Sequence, residues 1–142
     1  MNVEDFKNGQ VLLINKPLNW TSFQVVNKIR WLIKNKFGIK KIKVGHAGTL
    51  DPLATGLLII CTGKMTKRIS SFQNQTKKYT GTFLIGSTTP SFDLETKPNN
   101  TFPVNHINKD LIINATKSFI GKIKQKPPLF SAIKKNGKRL YE

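Results

Sequence analysis

The feature that most constrains this chain is the run Gly56–Thr62, GLLIICT. Seven residues without a charge form a continuous apolar run short enough to be a central strand. A central strand needs neighbours on both edges. The neighbours are readable. Gln10–Asn15 (QVLLIN) is a short buried strand stopped by Lys16-Pro17. Thr21 or Ser22 caps a helix whose apolar positions, Val25, Val26, Ile29, Leu32 and Ile33, form one stripe, with Phe37 near its end and Gly38 as its stop. Trp31, beside that stripe, is expected to pack. Ile39–Val44 is a basic connector or short strand, and Gly45–Thr55 an ordered loop. Lys64–Phe72 reads as a short basic helix and Lys77–Gly86 as a strand. Thr88–Thr101 is a loop, and Asn108–Phe119 an amphipathic helix with Leu111, Ile112, Ala115 and Phe119 on one face. Lys122–Gln125 suits a strand, and Asn136-Gly137 marks a hairpin. Strands and helices mix without a regular βαβ repeat, so the expected class is α+β, with a mixed, mainly antiparallel sheet and flanking helices.

Charge narrows the partners. The 142 residues carry 24 Lys+Arg against 7 Asp+Glu, a formal charge of +17. Twenty-one of the cations are Lys in a chain also rich in Asn and Ile, the residues of A/T-rich codons, so genomic bias is expected to contribute to the excess. The field still attracts nucleic acid. One cysteine excludes a disulfide framework, and with two distant histidines, His46 and His106, no metal site is expected. Cys61, inside the apolar run, reads as core. No apolar run approaches the ~20 residues that cross a bilayer, and Met1–Lys7 leads into no signal-peptide segment. A cytoplasmic domain is the expectation. Gly63-Lys64 fails as a phosphate loop, since Met65 stands where Ser or Thr is needed.

Between Asp5 and Asp93 lies a single carboxylate, Asp51, among 14 Lys+Arg. Pro52 restricts its backbone to extended conformations. The plainer reading is that Asp51 caps a turn through its side chain. The chemical reading is a nucleophile or a stabiliser of a cationic sugar carbon. A glycoside hydrolase usually needs two carboxylates, a two-metal nuclease a cluster, and neither stands nearby. His46, five residues earlier, suits contact with a base or a proton shuttle, or simply a backbone hydrogen bond. Tyr79, after Lys77-Lys78, suits a base-stacking platform or a half-buried strand position.

Gly45–Leu58, GHAGTLDPLATGLL, resembles the active-site motif GHxGTLDPxAxGLL of the TruB family of tRNA pseudouridine synthases. Four segments agree in order. Lys16–Ser22 (KPLNWTS) resembles KPxGxTS, with Asn19 in place of the usual Gly; Gly63–Lys67 (GKMTK) resembles GxATK. Lys78-Tyr79 resembles the KxY segment, and Lys126–Glu142 resembles PPxxSAxKxxGxRxYE. Thr88–Thr96 departs from a TDTxDxxG-like loop, with Asp93 fitting but Pro90 and Thr96 not. The resemblance implies a catalytic domain of which residues 1–142 are the N-terminal part. The remainder of that domain, with an Arg that pairs with the catalytic Asp, and a C-terminal RNA-binding domain would follow. It implies isomerisation of the uridine at position 55, in the T loop of tRNA, to pseudouridine, without cofactor or metal, by a monomer. The target base must leave its stack. Asp51 would attack or deprotonate at the sugar, His46 would contact the everted nucleotide, and Tyr79 would stack on its base. Lys16, Lys64 and Lys67 would bind the substrate, the lysines positioning RNA through phosphates. Two alternatives remain at this stage: a fragment that binds RNA without catalysis, and an unrelated basic binding module.

Overall fold

A computed structural model describes residues 2–125, 134–135 and 138–139. The chain forms two compact units, Met1–Tyr79 and Thr80–Glu142.

In the first unit β3 (Gly56–Thr62) is central, flanked by β1 (Val11–Lys16) and β2 (Val44–His46), both antiparallel to it. The apolar run therefore has the two neighbours its composition demands. Leu12 lies opposite Ile60 and Ile14 opposite Leu58. Paired residues share a face, and this face meets α2 (Ser22–Phe37). Val25, Val26 and Ile33 of α2 and Leu58 and Ile60 of β3 form the core with Ile42 and Val44. Thr21 proves to be the cap: its side chain accepts from the Gln24 N–H, and Gln24 reaches back to the Thr21 N–H. Gly38 ends the helix in the left-handed region, φ 62°, where a side chain is strained. Cys61 is wholly buried, as its place in the run implied, and burial raises the pKa of its thiol.

An additional helix, α1 (Val3–Asn8), precedes the sheet. Its signal is a capping box of Asn2 and Asp5, with Glu4 and Asp5 in the first turn favoured by the helix dipole. The connector before β2 runs to Lys43, and the expected loop yields its first two residues to β2. The basic helix after β3 is a 3₁₀ segment, Gly63–Arg68, continued by α3 (Ile69–Gln73). Trp31 corrects its expectation: it is exposed, with the Lys28 ammonium 4.6 Å from its ring centroid.

In the second unit, β4 (Ser87–Thr88) pairs with β5 (Asn100–Thr101), and α4 (Lys109–Thr116) starts from the side-chain cap of Asn108 and ends in a 3₁₀ turn through Phe119. No described residue of this unit is buried. The strand expected over Lys77–Gly86 does not form, and neither does that over Lys122–Gln125. An apolar β-rich run becomes a strand only when another backbone edge supplies its hydrogen bonds. Among the described residues none is offered, and Phe83 is 89% exposed. β6 (Lys134–Lys135) and β7 (Lys138–Arg139) pair antiparallel, as the hairpin reading requires; Asn136 and Gly137 themselves lie outside the described residues, as does most of the segment Lys126–Glu142. All strand pairs among the described residues are antiparallel, and the class is α+β. No described helix is long and apolar enough to cross a membrane.

Candidate active site

The site is built where β1 ends. Pro17 stops the strand, and the chain must turn into α2 within four residues. Asn19 makes that turn at φ 63°. Only Gly, and less readily Asn or Asp, adopts this conformation cheaply, which accounts for Asn where the motif has Gly. Its N–H donates to the Pro52 carbonyl at 2.8 Å.

Two side chains then grip the loop on either side of Asp51. Ser22 is buried, 3% exposed. Its Oγ accepts from the Leu50 N–H at 2.9 Å and donates to the Leu50 carbonyl at 3.0 Å. Lys16 is fully buried. Its ammonium donates to the carbonyls of Pro17 (2.9 Å), Trp20 and Pro52 (3.3 Å). Three acceptors match the three N–H donors of a Lys, which lets a buried cation stand without a carboxylate. Residues 50 and 52 are thus fixed by β1 and α2, with Asp51 between them.

Asp51 is exposed. Its turn is closed by its backbone, the Ala54 N–H donating to the Asp51 carbonyl at 3.0 Å. Its carboxylate accepts no hydrogen bond from the described residues. The turn-capping reading therefore fails: the side chain has no structural task here and is available to a ligand.

His46 closes β2, opposite Ile60. Its Nδ1 is 2.8 Å from the Gly48 carbonyl. A carbonyl only accepts, so Nδ1 carries the proton and Nε2 is left for a ligand. His46 stands at the start of the loop 47–55 and Asp51 within it. Lys64 and Lys67 lie on the 3₁₀ helix, both exposed, with Lys64 donating to Asn8 Oδ1 at 3.0 Å. Tyr79 is 72% exposed, and no hydrogen bond or ring contact joins it to the Asp51 loop. Among the described residues no group of three His, Cys, Asp or Glu is placed to hold a metal. Ser22 is the residue that sequence reasoning passed over. It read as a helix cap, and its bond across 28 residues leaves no local signal.

Residues 34–142 match the family described as TruB family pseudouridylate synthase (N terminal domain). The chain belongs to this family. It is 65% identical over 143 residues to a protein of Flavobacterium johnsoniae named tRNA pseudouridine synthase B, covering 100% of this chain and 62% of the relative. Proteins of the same name from Phocaeicola vulgatus and Chlorobaculum tepidum are 61% and 49% identical, covering 97% and 96% of this chain and 59% and 56% of those relatives. The chain thus spans about three-fifths of the length of the TruB relatives it matches.

Proposed function

We propose that this chain carries the catalytic carboxylate of a tRNA pseudouridine synthase, and that Asp51 is that carboxylate. The observation that carries the reading is the exposed, unpartnered Asp51 carboxylate on a loop gripped at residues 50 and 52. A nucleophile needs a free lone pair and a fixed position, and both are available here. The substrate is uridine 55 in the T loop of tRNA. Asp51 attacks or deprotonates at the sugar as the N-glycosidic bond breaks. The detached uracil turns, its carbon 5 bonds to the same sugar carbon, and the proton from carbon 5 is released as a ring nitrogen gains one. No atom is added and nothing is oxidised, so the chemistry asks for no cofactor or metal.

The target must be everted for the carboxylate to reach its sugar. His46 Nε2 serves the everted nucleotide, and Tyr79 provides an aromatic face for the base. Lys64 and Lys67 contact phosphates. Lys16 serves the substrate indirectly, through the loop it holds. We assign the chain to the Asp-bearing N-terminal part of the catalytic domain, acting as a cytoplasmic monomer.

Asp51→Asn in the gene product, expressed in a host without its own enzyme, tests this. Carbodiimide mapping is expected to show the pseudouridine signal at tRNA position 55 lost, with tRNA affinity within about threefold. Undiminished modification by the variant overturns the assignment. Binding without modification by the unmutated 142-residue chain alone supports RNA binding by this part of the protein without catalysis.

A further inference from the structure

We infer that a basic groove at the entry to β2 binds a run of RNA phosphodiesters beside the everted nucleotide. The inference rests on the tRNA reading above and adds where the backbone runs. Arg30 and Lys34 of α2, Lys40, Lys41 and Lys43 of the connector, and Thr66 of the 3₁₀ helix line a groove of about 530 Å³. Five cations from two elements converge there, and no carboxylate lines it.

The cations are displayed by anchored backbone. Ile42 and Val44 are buried while Lys41 and Lys43 are exposed, so alternate residues of the connector are held in the core and turned to solvent. The Gly63 N–H donates to the Lys43 carbonyl at 2.9 Å, and the Ile39 N–H to the Lys34 carbonyl at 3.2 Å, fixing both ends of the segment. Arg30 is oriented by bonds to Asn27 Oδ1 (2.7 Å) and the Val44 carbonyl (3.1 Å), which leave three of its five donors for an anion. Lys34, Lys40, Lys41 and Lys43 make no side-chain hydrogen bond or ion pair with the described residues. Codon bias scatters lysines along a chain; it does not gather them on a concave surface. Like charges held this close repel, and a polyanion relieves the repulsion while releasing its own counterions. Val44, at the groove, begins the short strand that His46 ends, so a backbone lying here passes close to the Asp51 loop.

The test is the salt dependence of binding to an unmodified tRNA transcript, read by fluorescence anisotropy. The protein is expressed from its own gene, with K40Q/K41Q/K43Q compared with the unmutated form. Each phosphate contact contributes about 0.7–0.9 to the slope of log affinity against log salt. The triple variant should lose about two units of slope and bind at least tenfold more weakly near 0.15 M salt. A control, K97Q/K109Q/K122Q, removes the same formal charge elsewhere and should change affinity by less than threefold. Equal losses in both variants, or slope and affinity unchanged in the first, overturn the groove. Circular dichroism checks that both remain folded. Should the unmutated protein bind tRNA but form no pseudouridine, the catalytic reading fails while the slope comparison still decides the groove. Should it bind no tRNA, both fall.

Discussion

Ser22→Ala isolates the grip on the Asp51 loop. The Ser22 hydroxyl is buried and makes two hydrogen bonds to one residue, Leu50, the neighbour of Asp51. Each such bond contributes about 0.5–1.5 kcal/mol net, and a buried donor left unmet costs about 1–3 kcal/mol. Ala at the first helical position returns a few tenths through its propensity. The expected net loss is about 2 kcal/mol. For a unit the size of Met1–Tyr79, each 1 kcal/mol moves Tm by about 4–8 °C, so melting followed by circular dichroism should fall by roughly 8–16 °C. Below that temperature the loop is folded but less fixed. Misplacement by about 1 Å can cost on the order of 100-fold in rate, so kcat should drop 10- to 100-fold with KM little changed. Ser22→Thr keeps the hydroxyl and should recover most of both quantities. A Ser22→Ala protein that melts within 2 °C of the unmutated form and turns over at the same rate would refute the reasoning.

Lys16→Met removes the donor to three carbonyls, of which Pro52 keeps the Asn19 N–H; chemical denaturation should show a loss of about 2–4 kcal/mol, and Lys16→Arg should not restore it, because a planar fork does not fit an ammonium's three acceptors. Asn19→Gly should leave stability within about 0.5 kcal/mol, whereas Asn19→Val should cost about 1–2 kcal/mol in the same assay, since a β-branched residue at φ 63° is strained. Gly63→Ala places a Cβ 2.0 Å from the Lys7 carbonyl oxygen and 2.4 Å from that of Phe6, so its melting transition should fall by well over 10 °C or vanish. Burial raises the pKa of the Cys61 thiol, so the folded thiol stays protonated where an unfolded one ionises. Its contribution to stability is full below the unfolded pKa and is lost as pH rises through the folded value. Reaction with a disulfide reagent at mildly alkaline pH should therefore be slow in the native protein and fast in denaturant.

The central strand and the capped helix were legible because each leaves a local mark: an uncharged run and an apolar stripe between Thr21 and Gly38. Asp51, the carboxylate proposed to react, stands out as one acid among cations. What sequence reading misplaced depends on how the folded chain surrounds each residue. The resemblance implied that Lys16 binds the substrate; its three acceptors lie at residues 17, 20 and 52, so only the folded turn shows why it is buried. Trp31 lies next to the apolar stripe in sequence, yet its ring is exposed, with the Lys28 ammonium over it. Residues 77–86 have every local property of a strand except an edge to pair with, and local properties cannot supply one.

The double pairing of β3 bears on how this protein can change over generations. Val11↔Cys61 fixes the ladder on one side and His46↔Ile60 on the other, and the Ala47 N–H donates to the Ile59 carbonyl. The intervening segment, residues 47–55, is a bridge of set span between two immovable abutments. Lineages are free to swap its letters where no grip or reaction depends on them. Adding or deleting one would carry the Pro52 carbonyl and the Leu50 backbone off the Lys16 and Ser22 side chains that hold them. Alignments of natural variants should accordingly show spelling changes there but no gaps.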